Sequence, residues 1–361
     1  MSDIHRKYLL LAHSLAYQNF GKTFPNPSVG CLIVKNNKII SRSVTASAGR
    51  PHAEEIALKK AGRKLLGASM YVTLEPCNHK SLNGSCTDQI IRSGISKIYI
   101  ATIDKDHRTN GKSIKKFKQN KIETTVGLTA DKTKKLNKFF FESLKNNRPF
   151  IKVKMAISND EKVAWPDYSS KWISNAKSRK YAHKIRFQSQ AILTTSKTII
   201  KDNSRFTVRK KNKIIKYPPV IIIDKSLKIP LNCNLLKNLS KRRLIIFTSK
   251  INKKFIKLKT LGCEMFLTKK LKSSGEFNLS LIMKKILSLN INNILVESGG
   301  MFFSKLLSKK LVDEIHVFKA PFNIGKSGKP MIIGKKIDNL RLKEIAKKNF
   351  GKDVYRHFLL K

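Results

Sequence analysis

The residues with the clearest chemistry in this sequence are a histidine, a glutamate and two cysteines. Pro51-His52-Ala53-Glu54 is followed, after 20 intervening residues, by Glu75-Pro76-Cys77, and eight residues separate Cys77 from Cys86. One imidazole and two thiolates fill three of the four positions of a zinc ion. They leave the fourth open, as a catalytic rather than a structural zinc requires in order to bind and acidify water. Glu54, two residues after the histidine, falls near such a metal without ligating it, and can carry a proton from water to a leaving nitrogen. A lone His at a helix start is usually a cap and a lone Cys usually packs in a core; the three in this order outweigh that bland account. Cys31, Cys233 and Cys263 have no such company and are expected to pack.

The second half carries a weaker signal. No G-x-G-x-x-G follows a strand, so the ordinary dinucleotide fingerprint is absent. A different glycine pair stands in Glu297-Ser298-Gly299-Gly300, after a strand pattern and before a helical one, where backbone N–H groups and the helix dipole could receive a pyrophosphate. Taken alone, it could equally be a structural turn.

The elements that must position these groups alternate. In the first 150 residues the pattern predicts a helix over Tyr8 to Ala16, a hairpin from Val29 to Ile40, a helix from near His52 to Leu66 and a strand Ser69 to Leu74. A helix Thr87 to Ser93, a strand Lys97 to Thr102 and a helix Lys132 to Asn147 follow. Asparagines before Pro149 mark a boundary, giving domains 1–147 and 148–361. Beyond it, strands are predicted at Phe150 to Ala156, Ala191 to Thr195, Val220 to Asp224, Arg243 to Thr248, Asn293 to Val296 and Asp313 to Phe318. Helices are predicted at Asn175 to Phe187, Leu279 to Leu289 and Met301 to Lys310. Both halves read as α/β, the second with a mainly parallel sheet.

Composition bounds the partners. The 361 residues carry 75 Lys plus Arg against 23 Asp plus Glu, a net charge of +52, which first suggests nucleic acid. Only 15 of the basic residues are Arg, and the excess is spread over both halves rather than gathered in a block, so a solvated surface is the better account. With 41% hydrophobic residues each half can bury a core. No apolar run reaches the roughly 20 residues of a membrane helix, and the N-terminus lacks a signal-peptide pattern, so a cytoplasmic location is expected. Five scattered cysteines argue against a disulfide framework.

At the level of motifs, the His-x-Glu and Pro-Cys elements match the zinc deaminase signature, with a longer gap between the cysteines than the two residues typical of nucleic-acid deaminases. Pro25-Asn26-Pro27-Ser28-Val29-Gly30-Cys31, Ala48-Gly49-Arg50-Pro51-His52-Ala53-Glu54 and Tyr71-Val72-Thr73-Leu74-Glu75-Pro76-Cys77-Asn78-His79 resemble the deaminase half of the bifunctional riboflavin-biosynthesis deaminase/reductases. Lys154 to Ala164, Ser170 with Trp172, Ala191 through Arg209, Ile221 to Asp224, the Glu297 motif and Leu311 to Glu314 resemble the reductase half, in the family's order. The resemblance implies a cytidine-deaminase-like α/β/α domain followed by a dihydrofolate-reductase-like α/β domain. It implies one zinc per chain on His52, Cys77 and Cys86, with Glu54 as proton shuttle and Asn26 at the pyrimidine. In the second domain it implies NADPH at Ile157 (through its backbone), Trp172, Thr198, Asp202, Gly299 and Gly300, and substrate at Ser170, Arg186, Phe206, Arg209 and Glu297. Arg186 and Arg209 suit the 5′-phosphate, because a guanidinium pairs with its oxygens in a fork.

The implied partner is a small phosphorylated pyrimidine, with no specific nucleic acid and no membrane; a homo-oligomer stays open. The rival is a nucleic-acid base deaminase whose basic C-terminal half binds RNA. Departures from the family are Thr45 for a His, Ser81 to Ser85 for a Gly-Arg-Thr-Pro-Pro loop, Glu161 for a Gly, Ser204 for a Pro and Lys225 for a Ser. Glu161 stands where φ is usually positive, so the turn is expected to change or strain.

Overall fold

Gly30–Lys35 is buried along almost its whole length, and the structure, a computed structural model describing residues 2–62, 65–79, 84–167, 172–334 and 336–360, places this strand inside a five-stranded sheet. It pairs antiparallel with Lys38–Val44 on one side and Ser69–Val72 on the other; Lys97–Ile100 and Glu123–Val126 continue the sheet in parallel. Asn36 and Asn37, with φ of 49° and 57°, close the two-residue hairpin as a primed turn whose twist suits the strands. The chain folds as two units, Met1–Asn146 and Asn147–Lys361.

Helices cover both faces of the first sheet. On one, Ala53, Ala57 and Ile90 pack with Cys31, Ile33, Met70, Val72, Ile98 and Ile100. On the other, Leu9 and Ala12 of helix Ser2–Asn19 pack on Leu32, Val34, Tyr71 and Tyr99. A Cβ on Gly30 would stand 1.9 Å from the carbonyl oxygen of Ala12, so this helix lies directly on the strand only because residue 30 is glycine. Each fully buried Leu or Ile contributes roughly 1.5–3 kcal/mol.

The predicted helix over Lys132 to Asn147 is two helices, Ala130–Leu136 and Lys138–Asn146. Asn137 between them is fully buried, and its amide both accepts the Ser28 N–H (2.8 Å) and donates to the Ser28 carbonyl (3.0 Å). The helix Lys112–Gln119 and the strand Glu123–Val126 are elements the sequence pattern does not reveal.

In the second unit, nine strands form one sheet in the order Glu264–Leu267, Leu244–Thr248, Val220–Ile223, Ala191–Thr195, Asn293–Val296, Phe150–Ile157, Glu314–Lys319, Asp353–Leu360 and Leu342–Phe350. The first seven run parallel and the last two form an antiparallel hairpin, so the mainly parallel expectation holds. Val220–Ile223 is uniformly aliphatic because both faces are covered. On one face Ile151, Val153, Met155 and Ile294 pack with Ile282, Phe303 and Leu306; elsewhere Ile192, Val220, Ile222 and Ile246 pack with Ile199 and Leu258. Cys233 and Cys263 belong to this second cluster and Cys31 to the first unit's core, so all three pack as expected. The predicted helix beginning at Asn175 is Ala176–Phe187, with Asn175 as its cap, its side chain accepting the Ser178 N–H.

Candidate active sites

The first set of residues meets at two helix starts and one strand end. His52 immediately precedes helix Ala53–Ala61, and its N–H donates to Glu55 Oε2 at 2.6 Å. Cys86 opens helix Cys86–Arg92, capped by Ser85, while Cys77 lies beyond strand Ser69–Val72. Glu75 fixes the loop between strand and cysteine: its carboxylate accepts N–H groups from Asp104 (3.1 Å), Gly111 (3.0 Å) and Ser113 (3.2 Å), the last two at the start of helix Lys112–Gln119. The Glu of Glu-Pro-Cys is thus a structural anchor, a role nothing local in the sequence discloses.

His52 Nδ1 is 3.4 Å from Cys86 Sγ, the Cys86 N–H donates to Cys77 Sγ at 3.4 Å, and the three ligating atoms lie within 4.8 Å of one another. Zinc bonds of about 2.0–2.1 Å to nitrogen and about 2.3 Å to sulfur in a tetrahedron put N and S about 3.5 Å apart, so the donor set fits that ion with one position left over. The hydrogen bond with Cys86 is the largest influence pulling the Cys77 thiol down, toward the thiolate a metal needs. Glu54 is 3% exposed, and burial pushes its carboxyl up to about 7 against the pull of His52.

Asn26 donates to the Gly49 carbonyl at 2.8 Å and stands 3.4 Å from His52 Nε2. Gly49 has φ of +87°, and a Cβ there would come within 2.8 Å of Asn26, so this glycine gives Asn26 its place. Thr45 is buried, its hydroxyl accepting the Val29 N–H at 3.0 Å. Asn78 Oδ1 and His79 Nδ1, next to Cys77, are buried without a hydrogen-bond partner among the described residues, and both stand in the motif that carries Cys77.

The second set gathers around a cavity of about 2200 Å³ in the second unit. Trp172, Arg186, Thr198, Asp202, Phe206, Arg209, Glu297, Gly299 and Gly300 all line it. Glu297 is buried and bidentate to Arg186 (Nε–Oε1 2.5 Å, Nη2–Oε2 2.9 Å), with Lys154 Nζ at 3.4 Å. The remaining Arg186 contact is Nη1 to the Thr207 carbonyl at 3.1 Å, so its fork is engaged within the protein, while Arg209 is exposed. Trp172 is 54% exposed, with the Arg179 guanidinium 4.5 Å from its ring centre, and so is no core residue. Phe206 is buried, and Thr198 and Asp202 sit on helix Ser196–Asp202.

One expected position falls elsewhere. Ile157 ends its strand buried in the sheet, its carbonyl accepting the Ala320 N–H at 2.8 Å; Ala156, not Ile157, lines the cavity. Ser170 lies outside the described residues. The two glycines differ: a Cβ on Gly300 would stand 2.1 Å from the Pro330 carbonyl oxygen, whereas one on Gly299 meets nothing within 4 Å. Glu161 keeps φ of +60° despite its side chain, and its carboxylate accepts the Ile337 N–H at 3.2 Å, a contact glycine cannot make. The turn is kept rather than rebuilt.

Residues 2–102 match the cytidine and deoxycytidylate deaminase zinc-binding region, and residues 149–355 match the RibD C-terminal domain. The riboflavin biosynthesis protein RibD of Aquifex aeolicus is 38% identical over 358 residues, covering 99% of this chain and 98% of its own length. The chain belongs to the RibD family. The Escherichia coli RibD is 29% identical, covering 98% of each chain. The solved structure of Acinetobacter baumannii RibD superposes with a TM-score of 0.89 at 27% identity, covering all of both chains. That of a Thermotoga maritima diaminohydroxyphosphoribosylaminopyrimidine deaminase/5-amino-6-(5-phosphoribosylamino)uracil reductase gives 0.84 at 28%, covering 99% of both.

As a RibD-family chain it is a bifunctional enzyme of riboflavin biosynthesis, a zinc deaminase joined to a reductase that implies NADPH. Its two units have the cytidine-deaminase-like and dihydrofolate-reductase-like architectures expected. The RibD match over 149–355 displaces the RNA-binding rival for the C-terminal half. No helix among the described residues is long and apolar enough to cross a membrane.

Proposed function

We propose that residues 1–147 hydrolytically deaminate 2,5-diamino-6-ribosylamino-4(3H)-pyrimidinone 5′-phosphate, and that residues 148–361 then reduce the ribosyl chain to ribityl. The observation that carries this reading is the convergence of His52, Cys77 and Cys86 with buried Glu54 beside them. The three ligands would hold zinc, which when bound supplies a Lewis acid that makes water acidic enough to react near neutral pH. Glu54 takes the proton from the attacking water at a carboxylate oxygen and returns it to the amino nitrogen that leaves as ammonia. Asn26 orients the pyrimidine beside His52, and Asn78 Oδ1 and His79 Nδ1, without a hydrogen bond among the described residues, offer further polar contacts there.

In the reductase unit NADPH, when bound, would supply the hydride that forms the new C1′–H bond, while the C1′–O4′ bond of the ribose opens and its oxygen takes a proton. Gly299, open to solvent at the start of helix Gly300–Ser308, leaves room for the pyrophosphate at backbone N–H groups. Trp172, Thr198 and Asp202 flank it along the cavity wall. Arg209 takes the substrate phosphate, and Arg186 instead orients Glu297 toward the sugar, with Phe206 and Ser170 completing the substrate side. Incubation with the diaminopyrimidinone phosphate and NADPH should release ammonia and consume NADPH; zinc-loaded protein that does neither would refute the reading.

Three substitutions separate the roles of these residues. Gly299→Ala should leave stability within about 0.5 kcal/mol but weaken NADPH binding about tenfold, read by fluorescence titration. Gly300→Ala should lower the melting temperature through overpacking of about 1–3 kcal/mol. Arg209→Ala, on an exposed side chain, should raise KM for the phosphorylated substrate about 10- to 100-fold, by loss of charge-assisted hydrogen bonds, with the far-UV spectrum unchanged. A KM unaltered by Arg209→Ala would remove it from the phosphate site.

A further inference from the structure

A second group of ligating side chains lies in the reductase unit, outside the residues that line its cavity. Glu314 and His316 stand two apart on strand Glu314–Lys319 and so share a face. His357, on strand Asp353–Leu360, is the direct register partner of His316. Glu314 Oε2 is 3.1 Å from His357 Nε2 and 3.8 Å from His316 Nε2, and the three ligating atoms lie within 4.8 Å of one another. His316 is 5% exposed, and both Nε2 atoms are buried without a hydrogen bond among the described residues. The other nitrogen of His316, Nδ1, is 2.8 Å from Tyr355 Oη. When Nδ1 carries the proton and donates to that oxygen, Nε2 presents its lone pair to Glu314 and His357.

We propose that Glu314, His316 and His357 bind a divalent transition-metal ion of the zinc class, as a clasp between the parallel part of the sheet and its C-terminal hairpin. An ion pair of Glu314 with one imidazolium satisfies one ring nitrogen and leaves the other buried and bare. A metal satisfies both. Zinc bonds of about 2.0–2.1 Å put neighbouring N and O ligands about 3.3–3.4 Å apart, and the observed 3.1 and 3.8 Å bracket that separation. The two rings are stacked, with centres 4.0 Å apart, so closing the site requires a small rotation of each toward the carboxylate. Two imidazoles and one carboxylate suit zinc, cobalt, nickel or iron(II) and disfavour calcium and magnesium. Among the described residues, Lys152 and Lys154 are the register partners of Glu314 and His316 on the neighbouring strand; the Lys152 ammonium is turned to the Gln188 carbonyl at 2.8 Å and that of Lys154 to Glu297 at 3.4 Å.

The test uses the full chain, stripped with chelator and titrated with Co²⁺. Two equivalents are expected: one with the thiolate charge-transfer absorption of the Cys77/Cys86 site, the other without it. His357→Ala should bind one equivalent and keep the thiolate band; Cys77→Ser/Cys86→Ser should bind one and lack it. Because the cysteine variant leaves the histidine cluster intact, misfolding of a His357 variant does not decide the matter. Binding of a single equivalent by the wild type, two equivalents by His357→Ala, or none by the cysteine variant would overturn the proposal.

Discussion

Glu54→Gln is expected to retain one zinc on the cysteine site and to lose ammonia release by about 10²- to 10⁴-fold, the range a positioned acid–base group contributes. The substitution keeps shape and polarity but removes the proton-accepting carboxylate, in a place where burial raises that carboxyl to about 7 and so makes it a better base than an exposed glutamate. NADPH consumption with the separately supplied deaminated intermediate should be unchanged, because the reductase residues lie in the other unit. Metal analysis and a coupled ammonia assay on the same sample check it. Wild-type ammonia release by the zinc-loaded variant would remove Glu54 from the mechanism.

Glu297→Ala should have the largest effect on stability. It leaves Arg186 as a buried cation without its carboxylate, a loss of about 3–5 kcal/mol, which in a unit of this size lowers the melting temperature by about 10–15 °C. The same pair gives the reductase unit an acid limit. Burial opposes ionisation of Glu297, but the charges of Arg186 and Lys154 outweigh it and hold the carboxyl at about 2. Its unfolded value is about 4.3. The contribution is therefore complete above pH ~4.3 and is lost as pH falls from there toward 2. Calorimetry of the wild type and of Glu297→Gln through that window should show the wild type losing more stability than the variant. Parallel acid curves would contradict this account of the pair.

The difference between what was legible and what was not follows range. His52, Glu54, Cys77 and Cys86 declare themselves through short spacings, and the uniformly aliphatic Val220–Ile223 strand announces burial on both faces. Glu123–Val126 carries no apolar alternation because it is an exposed edge, and the Lys-rich Leu342–Phe350 strand is another. The helix Lys112–Gln119 buries only Ser113 and Phe117, too little to mark a face in a lysine-rich segment. Arg186 reads as a phosphate ligand until Glu297, 111 residues away, is found occupying its fork. The carbonyl of Ile157 is committed by the Ala320 N–H, which becomes visible only with the parallel pairing in place. Most of the +52 charge meets no ligand at either site, so nucleic-acid binding, where it occurs, should be sequence-blind and abolished by moderate salt.

The Asn137 amide, clasped to both backbone groups of Ser28, has a kinetic meaning as well as an architectural one. It joins positions 109 residues apart, a closure whose chain-entropy cost is about 4 kcal/mol on the logarithmic scaling of loop length. During synthesis the sheet strands and the metal ligands at 52, 77 and 86 all emerge before residue 137, so the tie to Ser28 is the last of these contacts that can close. The split between helices Ala130–Leu136 and Lys138–Asn146 is then the bolt on a structure largely formed before it.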